Sequence, residues 1–217
     1  PAEHDAIVHL AARAGVRPSL RDPSLYVSTN VEGTARALEW ACRGPEPLPL
    51  VFASSSSVYG DEAPAPFEED ARLAPVSPYG ATKVAGEELV ATWGRMRGLR
   101  AVALRFFTVY GPRQRPDLAI HKFARSIDRG DPIPVFGDGS SARDYTHIED
   151  IVAGVLAALD GVCARGLPHS VYNLGSDRAI GLPAMIAVIE ASVGRAAVIE
   201  RLPDQAGDVK RTWASLE

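Results

Sequence analysis

At 217 residues the chain is long enough for one sizeable core, or for one domain with a smaller lobe. Its 46% hydrophobic and 23% charged residues are ordinary for a globular protein, and its formal net charge of −4 comes without a basic block, which argues against nucleic acid as a partner. No apolar run reaches the ~18 residues of a membrane span, no signal-peptide pattern opens the chain, and Cys42 and Cys163 stand far apart without metal spacing. A metal-free cytoplasmic setting with reduced thiols and no membrane partner is expected.

Taken in order, DAIVHLAA (5–12) is a short apolar run with β-branched members and reads as a buried parallel strand. Residues 24–43 carry Val27, Val31, Ala35, Leu38 and Cys42 at helical spacing, which predicts a crossover helix. GPEPLP (44–49) breaks that helix and launches the next strand, PLPLVFA, which ends in ASSSSVYG (53–60). The serine hydroxyls are thereby offered at a strand's carboxyl end, where open α/β sheets bind ligands. The following DEAPAPFEEDARLAPVSP (61–78) is polar and proline-rich and reads as a loop over the mouth of the site.

SPYGATK (77–83) opens a helix, with Ser77 as N-cap and Pro78 at the first helical position. Tyr79 and Lys83 are one turn apart and share a face. A free phenol has a pKa near ~10 and is a poor base at neutral pH. A neighbouring ammonium favours the phenolate, and the amino end of the helix adds to the effect. AVALRFF (101–107) is a third apolar strand, and TVYGP leaves its carboxyl end. Farther on, IEDIVAGVLAALDG reads as a helix, VYNLG as a final strand and LPAMIAVIEASVG as another helix. Strands alternating with helices, each sending a motif to one sheet edge, predict a doubly wound parallel α/β fold.

ASSSSVYG, SPYGATK, LRFFTVYGPRQRPD and RDYTHIEDI, in this order, resemble the extended short-chain dehydrogenases/reductases, the NAD-dependent epimerase/dehydratase family. The likeness covers nearly the whole chain and is nearest the nucleotide-sugar epimerases. It implies a Rossmann-like α/β fold with a smaller substrate lobe, divided as 1–112 for NAD and 113–217 for the nucleotide sugar, with 144–176 returning to the NAD-binding part. DAIVHLAA resembles the family's fourth strand, and no Gly-rich phosphate turn occurs in the chain. The resemblance therefore implies a longer enzyme trimmed at both ends, a homodimer when full length, and a fragment that by itself neither holds NAD nor turns over.

The same resemblance implies residue roles. Tyr79 is the general base, Lys83 lowers its pKa and binds the nicotinamide ribose, and Ser55 contacts the 4-oxygen of the sugar. Leu10, Ala11, Ala12, Asn30 and Phe107 join Tyr79 and Lys83 on the cofactor side. Ser56, Ser57 and Thr108 face a hexuronate carboxylate. Arg115, Lys122 and Arg143 are available to the diphosphate, Phe136 can stack on the nucleobase, and Asp208 matches the aspartate that binds the nucleotide ribose. Ser57 stands where dehydratases and decarboxylases of this type carry glutamate, so inversion of carbon 4 of a UDP-sugar through a 4-keto intermediate is favoured. FFTVYGPRQRPD and LPDQAGDV look most like glucuronate 4-epimerases, implying UDP-glucuronate to UDP-galacturonate. A UDP-glucose 4-epimerase, a nucleotide-sugar dehydratase or decarboxylase, and a non-enzymatic nucleotide-sugar-binding relative are the alternatives.

Overall fold

Runs of apolar and β-branched residues that are covered on both faces make the best central strands, and the chain uses them so. The structure, a computed structural model, describes residues 4–164, 169–204 and 209–217. In chain order it forms β1 (Ile7–His9), α1 (Val16–Arg21), α2 (Pro23–Tyr26), a wide π-helical stretch (Val27–Glu32), α3 (Gly33–Ala41), β2 (Leu50–Ser55) and a 3-10 turn (Ser56–Val58). Next come α4 (Pro78–Arg97), β3 (Ala101–Phe106), β4 (Thr108–Tyr110), α5 (Ala119–Arg129), β5 (Ile133–Phe136), β6 (Ala142–Arg143) and β7 (Tyr145–His147). The remainder is α6 (Ile148–Ala164), β8 (Ser170–Leu174), β9 (Ile180–Gly181), α7 (Leu182–Val193), β10 (Ile199–Leu202) and β11 (Arg211–Thr212).

The main sheet has the order β1-β2-β3-β8, and every pairing in it is parallel. Its register sets Ile7 against Leu50, Ser55 against Phe106, and Phe106 against Leu174. Alternation along the strands sorts the core into two layers. Leu50, Phe52, Ala101 and Ala103 pack with Leu38 of α3 and Val90 of α4, whereas Val51, Val102 and Leu104 pack with Val162 of α6. Helices on both faces make this a doubly wound α/β sheet, as expected from the pattern.

Gly86 lets α4 lie flat on that sheet. A Cβ there would fall 2.5 Å from the tip of the Phe52 ring, which is itself 2% exposed. Gly86→Ala is therefore expected to destabilise the fold by about 1–3 kcal/mol through overpacking. A fall in the urea midpoint at unchanged slope would show it.

The expected single helix over 24–43 is interrupted. Its middle widens into the π-helical stretch that carries Asn30, and such wide turns re-aim a side chain within an otherwise regular helix. The loop 61–76 is more than a cover. Phe67 is 1% exposed and packs on Tyr59, with ring centroids 4.7 Å apart, and Phe67 pairs with Ala214 near the carboxyl end. A separate cluster of Phe123 and Ile127 from α5, Ile133 and Val135 from β5, and Met185, Ile186 and Ile189 from α7 forms the second core. β10 completes it by pairing parallel with β5.

Candidate active site

The carboxyl end of β2 and the first turns of α4 meet because two local rules are obeyed there. Ser77 is extended and its Oγ accepts the Gly80 N–H at 3.1 Å, with Pro78 filling the position that needs no donor. Gly80 then rests on the 3-10 turn so closely that a Cβ would lie 2.5 Å from the Ser57 carbonyl oxygen. The Ser55 hydroxyl at the end of β2 thereby stands close enough to the Tyr79 phenol to favour its anion. Ser55 in turn donates to Ser57 Oγ and accepts the Ser57 N–H, both at 3.2 Å. Replacing Gly80 by alanine is expected to separate the two elements and cost about 1–3 kcal/mol of stability. The same variant should lose turnover at temperatures where it remains folded, which paired melting and activity curves would reveal.

The electrostatics differ from the expectation in one respect. Burial pushes the Tyr79 phenol above its ordinary value, opposed by the Ser55 hydrogen bond and the Arg115 charge. Lys83, expected to lower that pKa, instead donates to the Ala53 carbonyl oxygen at 2.7 Å and lies 5.1 Å from the centre of the Phe52 ring. The backbone carbonyl is the acceptor within reach of an ammonium buried to 5% exposure, so the hydrogen bond goes there. Burial pulls the Lys83 amine down to about 8, with the Glu87 charge opposing. His9, at the end of β1, is lowered first by burial and then by Lys83.

The Lys83 shift has a stability consequence. With its native pKa near 8 and its ordinary value at 10.5, the unfolded chain binds the extra proton between those values. Stability should therefore rise as pH climbs through that window, and the burdened form prevails below pH 8. Measured against Lys83→Met, the native sequence should gain about 2–3 kcal/mol between pH 7.5 and pH 10.5. Denaturant titrations of both proteins at the two pH values provide the check.

A cleft of ≈ 460 Å³ has Lys122, Phe136 and Arg143 among its walls, while Ser55, Tyr79 and Lys83 are not part of its lining. Arg17 joins them with its guanidinium 5.1 Å from the centre of the Phe136 ring, a contact that short exposed α1 did not foreshadow in the sequence. Arg115 holds Asp117 through two hydrogen bonds of 3.0 and 2.8 Å, and Asp117 borders the cleft. Ser56, Ser57 and Thr108 stand at the carboxyl ends of β2 and β3, partly buried, with the Thr108 N–H donating to the Asp144 carbonyl at 3.0 Å. Asp208 lies outside the described residues.

Residues 2–175 match the NAD dependent epimerase/dehydratase family. The chain belongs to that family. It is 42% identical over 213 residues to the UDP-glucuronate 4-epimerase of Thermodesulfobacterium geofontis, covering 97% of this chain and 64% of the relative. Among solved structures it resembles the UDP-glucuronic acid 4-epimerase of Bacillus cereus in complex with UDP-glucuronic acid and NAD. There the TM-score is 0.92 at 37% identity, over 99% of this chain and 68% of that one. MoeE5, in complex with the same two ligands, matches at 38% identity and a TM-score of 0.90, over 97% of this chain and 70% of that one. The chain thus spans a little under two thirds of the length of the first of these relatives.

The residues present fit part of the cofactor that gives the epimerase/dehydratase family its name. Leu10, at 57% exposure, and exposed Ala11 leave the carboxyl end of β1 as an apolar surface, followed by half-buried Ala12. An exposed apolar ledge beside a buried ammonium suits a flat nicotinamide ring and its ribose. Asn30 acts one step back. Its side chain accepts the Arg13 N–H at 2.7 Å and donates to the Arg13 carbonyl at 3.0 Å and to Thr82 Oγ1 at 2.9 Å. Both amide protons are therefore spent on shaping the loop after β1 and tying it to α4. Phe107 corrects the expectation: it is 6% exposed within a cluster with Val58, Tyr59, Phe67 and Ala214, so its ring is core rather than cofactor surface. No helix among the described residues is long and apolar enough to cross a membrane.

Proposed function

We propose that the complete gene product inverts carbon 4 of a UDP-sugar, with UDP-glucuronate and UDP-galacturonate as the interconverted pair. The observation that carries the reading is the Tyr79 phenol set against the Ser55 hydroxyl at the joint of β2 and α4, with Ser57 rather than a carboxylate completing the turn. Tyr79, reacting as the phenolate, takes the proton of the sugar 4-hydroxyl and returns it after inversion, and Ser55 holds the same oxygen and relays the proton. The ammonium of Lys83, together with Leu10, Ala11 and Ala12, would hold the nicotinamide end of NAD, with Asn30 fixing the loop beneath it. NAD, when bound there, supplies a reversible hydride acceptor for carbon 4. The loss of a carboxylate at position 57 removes the acid/base that elimination or decarboxylation would use.

Ser56, Ser57 and Thr108 are proposed to hydrogen-bond the sugar carboxylate, since hydroxyls at strand ends are the donors within reach of that position. Arg17, Arg115, Lys122 and Arg143 are proposed to serve the diphosphate, as guanidinium and ammonium donors suit its oxygens. Phe136 offers a flat face to the base, and Asp208 is proposed for the nucleotide ribose. On this reading residues 1–112 and 144–176 form the cofactor side, the rest of 113–217 forms the sugar side, and the active form is a homodimer in the cytoplasm. The reading is supported by similarity to enzymes named UDP-glucuronate 4-epimerase, one of them seen with UDP-glucuronic acid and NAD. Incubation of the complete gene product with UDP-glucuronate and NAD, followed by NMR of the products, should yield UDP-galacturonate. UDP-xylose or a 4-keto-6-deoxy sugar as the main product would overturn it.

A further inference from the structure

Below Tyr79 and Lys83, one more turn along α4, lies a carboxylate that the proposed chemistry does not use. Glu87 is 5% exposed, and its Oε1 accepts from Ser54 Oγ in a short hydrogen bond and from Arg105 Nε at 3.0 Å, while Oε2 accepts from Arg105 Nη2 at 2.8 Å. Three consecutive residues of β2 are thereby joined to three successive turns of one helix. Ser55 meets Tyr79, the Ala53 carbonyl meets Lys83, and Ser54 meets Glu87. Arg105 is in turn fixed from the far side, donating through Nη1 to Tyr59 Oη at 2.9 Å and to the Glu69 carbonyl at 2.8 Å. Tyr59 Oη in turn donates to Asn173 Oδ1 on β8 at 2.6 Å.

We propose that Glu87 is a positioning residue for the proton-transfer set: its carboxylate locks the end of β2 onto α4 so that Ser55 meets Tyr79, and its charge sustains the Lys83 ammonium. The inference rests on the reading of Tyr79, Lys83 and Ser55 given above. The second half follows from what surrounds the amine. On α4 the ionisable neighbours are Tyr79 and Glu87, on β1 there is His9, and on β3 there is Arg105. Of these, Glu87 is the one whose charge favours the Lys83 ammonium, whereas His9 is itself lowered by burial and by Lys83. A buried ammonium with one backbone acceptor and one ring face needs such a counter-charge. Arg105 is bound to the same carboxylate by two hydrogen bonds, which hold its oxygens in place.

The experiment uses Glu87→Gln, which keeps the shape and one of the two acceptor oxygens but removes the charge, in the complete gene product. In 13Cε-lysine NMR the signal that disappears in Lys83→Met assigns the Lys83 titration, which is then followed without reference to turnover. In Glu87→Gln that titration should move about one pH unit or more to lower pH. The alkaline limb of the kcat profile should follow it, with KM for the sugar nucleotide within about twofold of the original. Glu87→Asp, which retains the charge, should restore the titration toward its original position. Ser54→Ala breaks the strand tie alone and should lower kcat about three- to tenfold without moving the limb. A folded Glu87→Gln protein whose Lys83 titrates as before would overturn the charge role, and unchanged kcat in Ser54→Ala would overturn the tie. If the parent protein shows the Lys83 shift on substitution but does not epimerise UDP-glucuronate, the functional reading fails while this one stands.

Discussion

Tyr79→Phe is expected to lower kcat by roughly 10²–10⁴-fold while leaving the fold and nucleotide-sugar binding intact. The substitution removes one oxygen, whose described partner is the Ser55 hydroxyl, and keeps the ring that meets Tyr26 edge-on with centroids 6.3 Å apart. Ring packing therefore survives, and the loss should fall on kcat rather than on KM. Steady-state kinetics of the complete gene product with UDP-glucuronate, alongside a melting curve, would measure both. Turnover within a few-fold of the parent would mean that another group takes the proton. Ser55→Ala should show a smaller fall, because it removes a contact to the reacting oxygen and leaves the base in place.

Removing Arg105 should produce the largest loss of stability. Its side chain is 4% exposed and that of Glu87 is 6%, so the pair is shielded from water. Arg105→Leu would strand the Glu87 carboxylate in the interior and take one donor from Tyr59 Oη and one from the Glu69 carbonyl. A cost of about 3–5 kcal/mol is expected, enough to unfold a marginally stable domain. The double change Arg105→Leu with Glu87→Leu should recover a large part of that cost, since the Glu87 carboxylate is then no longer stranded. Denaturant unfolding of both single variants and the double would give the coupling energy directly. A double variant as unstable as the singles would assign the loss to the Tyr59, Asn173 and Glu69 contacts instead.

Much of this arrangement was legible in the chain. The strands at 50–55, 101–106 and 170–174 are short, mostly apolar runs, and each ends in a turn motif, so their parallel alignment and common carboxyl edge followed from pattern. Ser77 and Pro78 announced the start of α4 through capping chemistry alone, and helical geometry then put Tyr79 and Lys83 on one face. The same spacing extends one turn further to Glu87. A lone arginine inside AVALRF also signals a buried partner, because an arginine in a central strand cannot remain unpaired. Those two signals, taken together, would have found the Glu87–Arg105 pair.

What the residues alone determined is local: which segments are strands, where α4 begins, and which hydroxyl, phenol and amine fall at one edge of a parallel sheet. Backbone periodicity and capping act over a few residues, so they can be read without a fold. What only the tertiary structure decided is which partner each of these groups meets. Lys83 turns to the Ala53 carbonyl and is pulled down to about 8 by burial, and the Tyr79 phenol is pushed up rather than down. Phe107 falls into the core with Phe67 and Ala214, Asn30 commits its amide to the backbone of Arg13, and Arg17 comes over Phe136. Each of these depends on burial and on contacts between segments 17 to 119 positions apart, where dielectric and packing, rather than local propensity, set the outcome.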